Sequence, residues 1–133
     1  MKRTLHLLLL LGTITCLYAC HKDTIQAPNL TGTWELRVAF GGTVGYQTFS
    51  PGNGHSYTFN SNGSFTQYAG KDTLLNQGTY TVQTNAVKVQ GVEYNVLLIN
   101  GATSGPVVQV QDTTLSLGLE YNNGVGGIYA KIK

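Results

Sequence analysis

From Leu30 onward apolar residues recur at alternate positions, and the three-to-four spacing of an amphipathic helix never appears. The clearest run places Trp34, Leu36, Val38 and Phe40 on one face and Glu35, Arg37 and Ala39 on the other, the pattern of a strand with one side buried. The same period marks Tyr57 and Phe59, Tyr80 and Val82, Val87 and Val89, and Val92, Tyr94, Val96 and Leu98. It continues through Val108 and Val110, then Leu115, Leu117, Leu119 and Tyr121, then Ile128, Ala130 and Ile132. Between these runs stand Gly41-Gly42, Gly52-Asn53-Gly54, Asn60-Ser61-Asn62-Gly63, Asn100-Gly101 and Asn122-Asn123-Gly124. Glycine and asparagine tolerate the positive φ of tight turns between twisted strands, so these are hairpin signals. Short strands joined by tight turns must close into a barrel or fold into a sandwich. Closure removes exposed edges, and the expected fold is therefore all-β: a small antiparallel up-and-down β-barrel of about eight short strands.

The chain opens differently. Lys2 and Arg3 precede an apolar stretch from Leu5 to Leu11, broken only by His6, and the polar run His21-Lys22-Asp23 follows soon after. A positive start, a short apolar segment and a small residue before a cut make a secretory signal peptide. The segment falls short of the ~20 residues a membrane span needs. From Cys20 to Asn29 the chain is polar, contains Pro28 and has no periodicity, as expected of a flexible tether. The expected organisation is a signal peptide over 1–19, a tether over 20–29 and the barrel over 30–133.

Leu17-Tyr18-Ala19-Cys20 resembles the lipobox of bacterial lipoproteins, where a small residue precedes a cysteine that receives diacylglycerol on sulfur. The resemblance implies cleavage before Cys20, lipidation there with fatty acyl chains such as palmitate, and residence in the cell envelope. The expected address is the outer membrane, facing the periplasm or the outside. Two acyl chains anchor stably where one is marginal. Cleavage also removes Cys16, leaving no disulfide within a monomer, and a lone thiol outside the cytoplasm agrees with acylation.

Loss of residues 1–19 leaves 114 of 133 residues, one domain's worth. Lys2 and Arg3 leave with the leader, so six basic residues face six acidic ones and the mature chain is formally neutral. No basic patch for a phosphate backbone is expected, and nucleic acid is not an expected partner.

Gly32-Thr33-Trp34, at the head of the first strand, resembles the Gly-x-Trp signature of the lipocalins. Leu30-Thr31-Gly32-Thr33-Trp34-Glu35-Leu36 is similar to the opening of lipocalin-like lipoproteins of the Bacteroidota. Tyr57 to Phe65, Gly78-Thr79-Tyr80 and Tyr129-Ala130-Lys131-Ile132-Lys133 resemble their second hairpin, a later strand start and their last strand. In lipocalins an arginine near the end of the last strand packs over the signature tryptophan, and Lys131 holds that place here. The resemblance implies a barrel that binds a small apolar or amphipathic molecule.

Candidate chemistry is sparse. After cleavage only His21 and His55 remain, with no cysteine or carboxylate at metal spacing, so no metal and no cofactor are expected. His55-Ser56 is the sole pairing of a base with a hydroxyl, and strand neighbours point to opposite faces. Glu35, Glu93 and Glu120 are not brought together by spacing, and Glu35 with Arg37 is expected to meet solvent or its neighbour. Gly124-Val125-Gly126-Gly127 precedes a strand and reads as a turn, not a phosphate loop. No catalytic residues are expected, and the protein is not expected to be an enzyme. Seven tyrosines after the leader offer apolar rings with hydroxyls, suited to sugars or amphiphiles as well as to strands. Every aspartate is followed by threonine, in Asp23-Thr24-Ile25, Asp72-Thr73-Leu74 and Asp112-Thr113-Thr114. These resemble O-glycosylation acceptors of Bacteroidota envelopes, which makes Thr24, Thr73 and Thr113 candidates beside their reading as turn residues.

Two functions remain open. One is a lipid-tethered cup for a small hydrophobic ligand, which needs a cavity of a few hundred Å3. The other is a structural or accessory protein with a filled barrel, contacting an envelope partner through an exposed apolar or aromatic patch.

Overall fold

The computed structural model describes residues 26–43, 45–119 and 124–133. These form nine strands and no helix: β1 (Gly32–Phe40), β2 (Tyr46–Thr48), β3 (Ser56–Phe59), β4 (Ser64–Ala69), β5 (Thr73–Val89), β6 (Val92–Ile99), β7 (Val107–Gln111), β8 (Thr114–Leu117) and β9 (Gly126–Lys131). All pairings are antiparallel, the sheet order is β2-β1-β3-β4-β5-β6-β7-β8-β9, and β9 returns to β1. The result is a closed eight-stranded barrel with β2 as an extra strand. β2 lies on the same side of β1 as β3: β3 pairs with Gly32–Glu35, β2 with Val38–Phe40.

One strand is far from short. β5 has 17 residues, and the two alternating stretches Tyr80/Val82 and Val87/Val89 belong to it together. Its first part, Thr73–Thr79, pairs with β4, and its second, Tyr80–Val89, with β6. Passing one strand from neighbour to neighbour is the stagger that tilts strands in a closed barrel. Gln90 and Gly91, at φ 49° and 85°, turn β5 into β6 with the backbone twist that two-residue hairpins favour.

The expected alternation along β1 is corrected by a bulge. Trp34 and Leu36 pair with Lys131 and Tyr129, but Val38 then pairs with Ile128, leaving Arg37 unmatched in the ladder. An unmatched residue shifts the two-residue period by one. Beyond it Ala39 faces the interior opposite Gly127, whose Cβ would meet Leu36 and Tyr129. Phe40 faces the exterior opposite Gly126, where a Cβ would lie 2.5 Å from the Phe40 ring. Gly126 and Gly127, expected in a turn, are the first residues of β9, and the missing side chain at 126 is what lets Phe40 lie down.

Among the described residues, large side chains pack the interior. Trp34, Phe59, Phe65, Leu30, Leu97, Leu115 and Val108 are fully enclosed, each such side chain contributing about 1.5–3 kcal/mol through burial. Tyr57 stacks on Phe59 at 5.5 Å, and Tyr80 meets Phe59 edge-on at 4.9 Å.

Candidate functional site

One end of the barrel is stoppered. Leu30 lies in the core, and its carbonyl accepts a 2.7 Å hydrogen bond from Trp34 Nε1. The buried indole thus has the partner its N–H requires. Lys131 Nζ sits 5.2 Å from the centre of the Trp34 ring. Gly32, at φ +133°, makes room for it: a Cβ there would lie 2.7 Å from Lys131 Cε and 2.5 Å from the Lys133 carbonyl. The glycine, the tryptophan and the lysine therefore form one packing unit.

Two residues along the same strands, Leu36 and Tyr129 begin a recess of about 80 Å3. Tyr57, Gln67, Leu75 and His55 complete most of its wall, and Tyr57 and Tyr129 meet edge-on at 5.6 Å. Burial pushes the Tyr57 phenol up, against a hydrogen bond with Gln67 that pulls it down. Burial, then the neighbouring Tyr57, pushes Tyr129 up further. Both hydroxyls stay protonated near neutral pH. The recess shares Ser56 and Tyr68 with a broad open groove on the outer face, which Gly54, Lys71 and Asp72 complete.

The rim beside this groove is held by a carboxylate. Glu35, only 5 % exposed, accepts hydrogen bonds from Gly52 N–H (3.0 Å), Gly54 N–H (3.1 Å) and Arg37 Nη1 (2.7 Å). Asn53 Nδ2 donates to the carbonyls of Leu36 and Ser50, closing the same loop. Burial raises the Glu35 carboxyl, but the bonds from Gly52, Arg37 and Gly54 outweigh it and hold the group below the usual carboxylate range. Glu35 does meet Arg37, as expected, but under a loop and away from solvent. Its role as a loop anchor was hidden in the sequence, where only the glycines of Pro51-Gly52-Asn53-Gly54 hint that backbone N–H groups stand open to an acceptor.

The other candidates are scattered. Cys20, Thr24, His21 and Glu120 lie outside the described residues. Thr73 opens β5 beside the β4–β5 turn, and Thr113 lies exposed in the β7–β8 turn, its carbonyl accepting from Lys131 N–H at 2.8 Å. His55 packs against Phe49 at 5.4 Å. Glu93 sits exposed opposite Lys88 and does not join Glu35. Among the described residues no three histidine, cysteine or acidic side chains gather to hold a metal ion.

A further hollow of about 210 Å3 lies around Phe40, Val125 and the Gly41–Gly45 turn. Phe40 is 5 % exposed, while Tyr46, 6.3 Å away ring to ring, and Val125 are 64 % and 72 % exposed. Together these features define a small closed antiparallel barrel with one stoppered end, a shallow polar-aromatic recess and an exterior apolar hollow. Comparison with protein-family models, curated proteins and solved structures finds no match.

Proposed function

We propose that the chain is a lipid-anchored, non-enzymatic protein of the cell envelope that works as an interaction module: a rigid, filled barrel contacting an envelope partner through its outer surface. The observation that carries this reading is the interior core of large, fully enclosed side chains among the described residues. The recess of about 80 Å3 compares with the ~300–1,000 Å3 of small-molecule pockets. An apolar ligand inside the barrel, the lipocalin-like reading, would have to displace the Phe59, Phe65 and Trp34 rings. The exposed Tyr46 and Val125 around Phe40 supply the kind of apolar surface a partner covers. Anchoring rests on the leader, the lipobox-like segment and Cys20.

Native mass spectrometry of the protein extracted gently from its host membrane, followed by denaturing mass, tests both parts. The expected result is a chain beginning at Cys20 with a covalent diacylglyceryl group and no lipid-sized adduct lost on denaturation. A releasable lipid-sized adduct would return the interior-ligand reading. An unmodified Cys20 would end the anchor.

A further inference from the structure

We infer that the recess and the adjoining groove form one site for a neutral carbohydrate, with a sugar ring lying against Tyr68 and a small substituent such as an acetamido group entering the recess. This goes beyond contact through the Phe40 hollow and does not depend on it.

Size is the first argument. At about 30 Å3 per water, a recess of about 80 Å3 holds two or three waters. It is therefore the size of a small polar substituent and not of an acyl chain. The outer groove, about 490 Å3 and open, has room for the ring that carries the substituent, and Ser56 and Tyr68 belong to both.

Chemistry is the second. The recess offers the Tyr57 and Tyr129 rings, the Gln67 amide and the Leu36 and Leu75 side chains: flat apolar faces beside uncharged hydrogen-bonding groups. A sugar presents the complement, with C–H faces for aromatic rings and hydroxyls for amides and phenols. The two charges at the groove, Lys71 and Asp72, are one of each sign, which favours a ligand without net charge.

Preorganisation is the third. Glu35 fixes the loop that supplies Gly54, and Gly54 packs so closely on the β4–β5 turn that a Cβ would lie 2.5 Å from the Gly70 carbonyl carbon. A rim already ordered costs little more to bind.

The test is saturation-transfer difference NMR on the full lipidated chain in detergent micelles, with N,N′-diacetylchitobiose and cellobiose as probes. The expected result is transfer to chitobiose at millimolar concentration, strongest at the N-acetyl methyl protons, and weaker transfer to cellobiose. Tyr68→Ala is expected to abolish it. Gln67→Leu, which keeps the side chain's bulk, is expected to weaken chitobiose binding about tenfold, with both variants checked for an unchanged cooperative unfolding transition. Absence of transfer to chitobiose, or transfer that folded Gln67→Leu and Tyr68→Ala leave unchanged, overturns the inference.

Discussion

Replacing Glu35 by glutamine asks whether a single carboxylate holds the 50–54 loop against the barrel. The wild-type group accepts from two backbone N–H groups and one guanidinium nitrogen, with almost no water around it. Glutamine keeps one acceptor oxygen and turns an NH2 toward donors that have nothing to receive from it. The variant loses at least one hydrogen bond to a charged group, worth about 1.5–3 kcal/mol, and strands a neighbouring donor at about 1–3 kcal/mol. Partial rescue by water at the half-exposed loop brings the expected loss to about 2–4 kcal/mol. In a domain this size that corresponds to a fall in Tm of roughly 10–20 °C.

Urea titration is the cleaner assay, with the midpoint moving and the slope unchanged. Acid titration supplies a signature that lost packing would not. The folded carboxyl lies below its ordinary value, so its contribution is full above that ordinary value and disappears as pH falls through the lowered one. Wild type is expected to lose stability across that window, while Glu35→Gln is flatter there. Amide exchange at Gly52 and Gly54 should rise in the variant. A Glu35→Gln protein within about 0.5 kcal/mol of wild type, with the same acid profile, would refute the loop-anchor argument.

Gly32→Ala is expected to cost about 1–3 kcal/mol through strain at positive φ, measured by urea midpoint, because its Cβ competes with Lys131 Cε and the Lys133 carbonyl. Lys131→Ala should cost about 0.5 kcal/mol by losing the cation over Trp34, and Lys131→Arg should match or exceed wild type; equal stability of all three would remove the contact from the account. Ultraviolet titration of the phenols should show Tyr57 and Tyr129 ionising after the other tyrosines, since both are raised by burial. Their contribution is full below the ordinary phenol value and is lost as pH rises toward the raised ones, so alkaline unfolding should coincide with the late phenols.

The barrel was legible because its walls alternate and its turns carry glycine and asparagine at positive φ, as Asn100-Gly101 does. What alternation could not reveal is phase. Val38 and Phe40 are apolar on either face, so the shift at Arg37 leaves no mark in the pattern of apolar and polar letters. β5 was read as pieces because the bulge between Gln83 and Val87 breaks its rhythm while its pairing continues. β2 was missed because Tyr46–Thr48 is only three exposed residues, too few to show a period, paired to the end of β1. The Gly32, Trp34 and Lys131 unit came from resemblance, and its physical reason, a glycine vacating the path of a lysine stem, needed coordinates. The recess was invisible for a different cause: Tyr57, Gln67, Leu75 and Tyr129 come from four strands, and no local spacing links them.

The odd residue in β1 has a reach beyond its own strand. Before Arg37 the even-numbered apolar side chains Trp34 and Leu36 belong to the stopper and the core; after it Val38 and Phe40 belong to the outside wall. Give Arg37 a partner, with one residue inserted between Ile128 and Tyr129, and the two halves fall into step: Phe40 turns inward, Ala39 turns out, and the exterior hollow loses its floor while the crowded interior gains a ring it cannot hold. The division between what this barrel keeps to itself and what it offers to others is thus a matter of counting, decided by whether the seven residues Trp34–Phe40 are matched in full or with one left over.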